Sequence, residues 1–423
     1  MGLLVCAFLI IAPLIILYTA GYRYDISTRQ FMTTGVLSID VETEDVRVVV
    51  NDIVLSEKPP IRLPNLAPGL YRVDISSPGF HTWNNTVQIQ SNQTTYIQDI
   101  SLLKNRIPVG ILYSNESTTL EQLSPNGTFL YYSKQYPTST RHAIVDLKTT
   151  QNTTLFTLAP ETTVEAMWSP FHAVLFFSSR NSSTSELAVV DANRPTSFAT
   201  YRDVQLSELQ WDVASPGLYG KVGEWIERFT PTEQELLHKP SSSLWWVSDA
   251  KTVFRYSTST QQLSEGNNVV FLPFPITTIL DVEKHMILAA QTTDATIHLF
   301  HRNGNTITDT EQIIADHWFF DTHTNSWYLW SQWEVWKISR TSAKVELLHR
   351  SSKPLRAVYP LSTNGSILFV TDTTLLVFDE LYYSHKELFT AEEIRDVAVN
   401  KERKKIYIIG NISGQEGLFE LDY

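Results

Sequence analysis

Four aspartates, Asp281, Asp294, Asp316 and Asp321, share one stretch of the chain with four histidines, His298, His301, His317 and His323. Two carboxylates held about 5–10 Å apart in a cleft would supply the acid and base of glycoside hydrolysis, and one of them would carry a raised pKa. Histidines bind a metal only where their ring nitrogens converge, and spacing alone does not bring these together. Solvated turn carboxylates and exposed loop histidines account for the same residues without chemistry. The chain has no phosphate-binding glycine loop, no G-x-G-x-x-G after a strand, no G-x-S-x-G elbow, no H-E-x-x-H and no calcium loop. No catalytic, metal-ligating or cofactor-binding residue is therefore assigned, and no cofactor is expected.

Recognition chemistry is better represented. Trp327, Tyr328, Trp330, Trp333 and Trp336 fall within ten residues, and Trp245-Trp246 forms a second cluster. Strand alternation sends Trp327 and Trp333 to one face and Tyr328, Trp330 and Trp336 to the other. Core packing explains much of such a run. Sugar rings also stack on exposed aromatics, so Trp245, Trp246, Tyr328, Trp330, Trp333 and Trp336 are the candidate ligand-binding residues.

Composition narrows the partners. The 423 residues carry 33 Lys and Arg against 45 Asp and Glu, a net charge of −12, and the densest basic stretch is only 401–405. Nothing there tracks a phosphate backbone, so nucleic acid is not an expected partner. The single cysteine, Cys6, lies in the first apolar segment, which leaves the folded part no thiol for a disulfide, a zinc cluster or a nucleophile. With 43% hydrophobic residues and 12% aromatics, stability must come from packing.

The elements that would position these side chains recur. Apolar runs end at Ser133, Ser178, Gly220, Ser248, Gln291, Ser331, Thr371 and Gly410, at steps of 45, 42, 28, 43, 40, 40 and 39 residues. A period of about 40 with several short strands per repeat indicates a β-propeller. The second repeat shows the pattern best, with strands expected over 163–168, 173–178, 186–191 and 197–201. The short step means that residues 206–263 hold either one irregular blade with an insertion or two blades with one strand missing, which leaves seven or eight blades. Only one strand, 418–421, fits after Gly410. The stretch 109–113 has no blade of its own, and its pairing with 418–421 would close the ring over 104–423 and leave no open edge. The region resembles the broad WD40-like propeller group in its period, without the Gly-His and Trp-Asp signatures.

Residues 3–20 are uncharged, and Tyr18, Tyr22 and Tyr24 with Arg23 follow as an interfacial cluster. This predicts a transmembrane anchor over residues 1–24. Arg23 and Arg29 after the span favour a cytoplasmic placement of the rest. The lack of Cys in the soluble part, its Ser, Thr and Asn content and eight Asn-x-Ser/Thr triplets favour the outer face, which is the expected localisation.

Residues 33–103 read as a small β-sandwich: Val46, Val48 and Val50 share one face, as do Tyr71, Val73 and Ile75. Gly35-Val36-Leu37-Ser38-Ile39, Val48-Val49-Val50-Asn51-Asp52, the phrase from Leu66 through Pro68-Gly69-Leu70-Tyr71 to Val73, and Pro78-Gly79-Phe80-His81-Thr82-Trp83 resemble the PEGA domain family. The chain departs from that pattern at Glu42-Thr43-Glu44-Asp45 and at Ile53. The resemblance implies an envelope surface module without catalytic residues.

The expected protein is all-β: an N-terminal transmembrane helix, a PEGA-like sandwich and a seven- or eight-bladed propeller. Its expected role is that of a membrane-anchored, surface-exposed, non-enzymatic binding or scaffold protein of the cell envelope. The membrane is reached through the helix, and an envelope glycan or surface protein binds the propeller. The alternative is an extracellular polysaccharide- or peptide-processing enzyme using funnel carboxylates. A cytoplasm-facing scaffold would follow if the topology were reversed.

Overall fold

The computed structural model describes the chain apart from residues 1–7, 10, 14, 17–21, 26–29, 44, 182–184, 203, 205, 239–243, 292–293 and 362–364. Two compact units are present, one of residues 1–107 with Tyr423 and one of residues 108–422.

The transmembrane segment expected over 1–24 lies largely outside the described residues. Phe8, Leu9, Ile11, Ile15 and Ile16 are helical and exposed. Among the described residues, no helix is long and apolar enough to cross a membrane. A short hairpin, Tyr22–Asp25 with Gln30–Thr33, follows.

The rest of the first unit is a two-sheet sandwich. One sheet has the order Ile61–Leu66, Gly35–Val41, Thr94–Ile100, with the last two parallel; the other has the order Ile53–Val54, Arg47–Val50, Gly69–Ser76, Trp83–Ile89. Alternate residues point inward. Leu37, Ile39, Val48, Val50, Val73, Ile75 and Ile97 are buried, and the Tyr71 hydroxyl donates to the Ala67 carbonyl at 2.9 Å. Gly79 turns the chain at φ 83°, a conformation that costs a Cβ-bearing residue energy.

Among the described residues, the second unit is a propeller of eight four-stranded antiparallel sheets. Blade 1 starts at Thr118–Leu123, blade 2 at Thr163–Trp168, blade 3 at Leu206–Trp211 and blade 4 at Leu244–Val247. Blades 5 to 8 start at Thr278–Val282, His317–Asp321, Ala357–Pro360 and Glu393–Asn400. Blade 8 continues through Lys405–Ile412 and Gln415–Asp422, and its fourth strand is Val109–Tyr113 from the other end of the propeller. That strand pairs antiparallel with the last one, Val109 opposite Glu420 and Tyr113 opposite Gly417, with a bulge between Gly110 and Leu112. The region 206–263 therefore belongs to two complete blades. The step between landmarks is short because Trp245-Trp246 lies in the first strand of blade 4, whereas the other landmarks lie in second strands.

Neighbouring blades share their cores, as expected when each sheet buries both faces. Phe129, Tyr131, Leu175 and Phe177 join blades 1 and 2. Met286, Leu288, Trp327 and Leu329 join blades 5 and 6. Blades 8 and 1 meet through Leu120, Leu130, Tyr407, Ile409 and Leu418, against which Ile111 and Leu112 pack. Between blades 7 and 8 the Ile394 amide donates to the Asp372 carbonyl at 2.7 Å. Gly410 has no room for a side chain: a Cβ there would stand 2.1 Å from the Glu393 carbonyl oxygen. We expect Gly410→Ala to cost about 1–3 kcal/mol, as overpacking does, read as a lowered urea midpoint at unchanged slope.

Three imidazoles are packed inside the propeller. His142 and His298 are buried, and His349 stacks on Phe369 at 5.0 Å. Burial holds all three below the ordinary histidine value of 6.5, and His385 lowers His349 further. The unfolded chain then binds more protons than the folded one at pH values below about 6.5. Stability should fall as pH drops from 6.5 towards the folded pKa values, by up to about 1.4 kcal/mol per pH unit per group, and level off above 6.5. Melting curves between pH 4.5 and 8 check this, and His298→Phe should flatten the slope.

Candidate functional site

In each blade the turn after the first strand and the turn after the third lie on one face of the ring. On that face the channel mouth is lined by aromatics. The turn after the first strand of blade 2 carries Pro170 and Phe171, and Phe171 meets Phe320 of blade 6, diametrically opposite, with ring centroids 6.3 Å apart. This contact divides the mouth into two cavities that share Pro170, Phe171, Phe319 and Phe320.

The first cavity, about 290 Å3, is walled by Trp211, Val213, Trp246, Ile279, Leu280, Trp318, Trp327 and Arg340. The second, about 300 Å3, is more polar, with Asn126, Thr128, Asp321, Thr322, His323, Asn400, Lys401 and Glu402. Phe171, Trp211, Trp318 and Phe319 are half-buried, so each keeps surface for a ligand.

Two ion pairs support this floor. Asp281 is buried on the first strand of blade 5 and accepts from Arg340 Nε at 2.8 Å, Arg340 Nη2 at 3.1 Å and the Trp327 indole at 2.9 Å. Arg340 also reaches Asp249 at 3.0 Å and Glu283 at 2.8 Å, and its guanidinium lies 5.3 Å from the Phe320 ring centre. Burial alone would lower the Arg340 pKa, but Asp281 and Asp249 raise it. Burial raises the Asp281 pKa above the ordinary carboxylate value, and Arg340 and the Trp327 indole pull it back part of the way. Asp321 is buried at the end of the first strand of blade 6 and accepts from Lys401 of blade 8 at 3.1 Å and from Thr324 at 2.9 Å. Burial pushes its pKa up, and Lys401 with the local donors brings it below the ordinary range.

The four aspartates singled out in the sequence do not assemble. Asp281 and Asp321 lie on this face in structural pairs. Asp294 and Asp316 are exposed on turns of the opposite face, Asp316 next to His317 at 2.7 Å. His301 bonds Glu311 at 2.9 Å, and His323 lies 3.5 Å from Asp321. Among the described residues no group of three or more His, Cys, Asp or Glu is arranged to hold a metal.

The aromatic candidates are placed mostly inside. Trp245, Trp246, Tyr328 and Trp330 are buried, Trp336 packs against the core shared by blades 5 and 6, and only Trp333 is exposed, at 50%. The second strand of a blade is covered on both faces, so Tyr328 and Trp330 pack against blade 7 instead of forming a stacking platform. Only Trp246 of the six lines the mouth. Phe171, Trp211, Trp318, Phe319 and Arg340 escaped the sequence reading. One signal existed: a Pro-Phe step in a turn where Asn, Gly or Asp is usual.

The PEGA domain family matches residues 34–102. The first unit thus contains a PEGA domain, whose strands run from Gly35–Val41 to Thr94–Ile100. No curated protein matches the chain. Among solved structures, the uncharacterized protein lmo1340 of Listeria monocytogenes EGD-e is similar at 12% identity and TM-score 0.45, covering 67% of this chain and 98% of its own. The Cps50 (Swd1) β-propeller domain of Myceliophteria thermophila is similar at 13% identity and TM-score 0.40, covering 73% and 99%. The Dos1 propeller is similar at 10% identity and TM-score 0.45, covering 74% and 95%.

Proposed function

We propose that the protein is a non-enzymatic binding scaffold of the cell envelope, held to the membrane by its N-terminal apolar segment, with the channel mouth of its propeller as the ligand-binding face. The observation that carries this reading is the pair of aromatic-walled cavities around Phe171. Their buried charges are spent on one another, Asp281 with Arg340 and Asp321 with Lys401, which favours holding a ligand over transferring a proton. The envelope setting is supported by the PEGA domain, by the uncharged run 3–20 and by the absence of cysteine from residues 7–423.

The test compares the full chain with Trp211→Ala/Phe319→Ala on envelope extracts and purified envelope glycans. The wild type should retain a component that the variant loses, and that component should be recovered intact. New reducing ends or new peptide termini would instead favour a processing enzyme. For the membrane setting, the full chain should stay in the membrane fraction through a carbonate wash, and protease added to intact cells should digest the propeller. Release by carbonate, or protection from protease, would overturn that part of the reading.

A further inference from the structure

A separate cavity of about 350 Å3 lies between blades 4 and 5, at the outer rim of the face that carries the mouth. Phe254, Leu263 and Val270 of blade 4 line it, and all three belong to the core that the two blades share. Its charged lining side chains are Glu265 of blade 4 with Lys284 and Arg302 of blade 5. Arg302 is the unusual one. It is half-buried, its Nε donates to the Lys284 carbonyl at 3.1 Å, and among the described residues its guanidinium enters no ion pair. Arg228 and Arg340, also withdrawn from solvent, are paired with Asp212 and Asp281. Lys284 and Glu265 enter no ion pair either. Burial holds the Arg302 pKa below its ordinary value, and the fields of Glu265 and Glu283 offset this only in part. Glu283 is itself taken by Arg340 at 2.8 Å. A guanidinium withdrawn from water without a counterion is costly to keep, and this one lines a space that can admit one.

We propose that this cavity binds a small organic carboxylate with an apolar body, the carboxylate on the Arg302 guanidinium beside Lys284 and the body on Phe254, Leu263 and Val270. The site is separate from the mouth, and its ligand is independent of the binding-scaffold reading. With Nε spent on the backbone, the two Nη groups are left to give a carboxylate parallel hydrogen bonds. Two cations against one carboxylate leave a single positive charge for the ligand to match. Glu265 repels any further negative charge, which favours a monoanionic carboxylate over a phosphate dianion. The volume suits a small ligand, and the shared core supplies the apolar floor that such sites need.

The probe is phenylacetate, titrated into the full-length protein and followed by saturation-transfer NMR. It should bind at least about tenfold more tightly than acetate, which lacks the body, and than phenylacetamide, which lacks the charge. Phenyl phosphate should bind more weakly than phenylacetate. Arg302→Gln should weaken phenylacetate at least about tenfold and Lys284→Gln several-fold, whereas Glu265→Gln should tighten it. If Arg302→Gln does not fold, the opposite signs expected of Lys284→Gln and Glu265→Gln decide the matter. Binding no tighter than that of phenylacetamide, or indifferent to these substitutions, would overturn the inference. So would tighter binding of phenyl phosphate, or no phenylacetate binding at about 10 mM. Binding lost in Trp211→Ala/Phe319→Ala but kept in Arg302→Gln would place the acid in the mouth and overturn it as well.

Discussion

Arg340→Ala should destabilise the propeller by about 3–5 kcal/mol, the usual cost of removing one partner of a buried ion pair. The reason is what remains. Asp281, 1% exposed, would keep only the Trp327 indole as donor and would be left either as a nearly uncompensated charge between blades 5 and 6 or with a proton taken up at a cost. Asp281→Asn should cost less, because Arg340 retains Asp249 and Glu283, and the amide can still accept from Trp327. The double variant Asp281→Asn/Arg340→Met should recover much of the loss, since the apolar stem can pack on Phe320. Denaturant melts of the four proteins check the order. If Arg340→Ala melted like the wild type, this pair would not hold the mouth.

Removal of residues 109–113 should have an even broader effect. The fourth strand of blade 8 would be lost, Ile111 and Leu112 would leave the core of blades 8 and 1, and Tyr113 would leave its edge contact with Phe419 at 6.1 Å. The Gln415–Asp422 strand would then present a free edge, a template for aggregation. The loss should exceed that of Leu112→Ala, itself about 2 kcal/mol at the lower end for a half-buried leucine. Leu381→Ala, at a site 54% exposed, should be silent. A peptide of residues 107–115 added in trans should raise the melting temperature of the deleted protein. No rescue, together with a soluble and normally melting deletion protein, would count against closure by this strand.

Much of the fold was legible because propeller blades repeat their hydrophobic pattern. The second strand of a blade is buried on both faces, and runs such as Ser326–Trp330 announce themselves as unbroken apolar segments. Blade 4 is the instructive exception. Its strands have only four or five residues, and its most apolar one, Leu244–Val247, is the first, so the landmark shifted by one strand and the spacing contracted. The same burial misdirected the site. Tryptophan density marked packing at Tyr328 and Trp330, whereas the mouth is assembled from Phe171 on a turn of blade 2 and from aromatics of the first strands of blades 3 and 6, which meet only once the ring is closed. No local pattern in the chain pairs Phe171 with Phe320, or Asp321 with Lys401. The PEGA domain was legible for a simpler reason: its turn phrases around Gly69 and Gly79 are local, and the backbone they require is written in the same few residues.

Site-specific photocrosslinking in cells tests the central claim most directly. A photoreactive residue is placed at Thr322, exposed at the mouth, and in a second strain at Thr138, exposed on a turn of the opposite face. The account predicts a discrete crosslinked adduct from position 322 that disappears with Trp211→Ala/Phe319→Ala, and none from position 138. An adduct from position 138 alone, or one from position 322 indifferent to the double substitution, would contradict a ligand-binding mouth on this face.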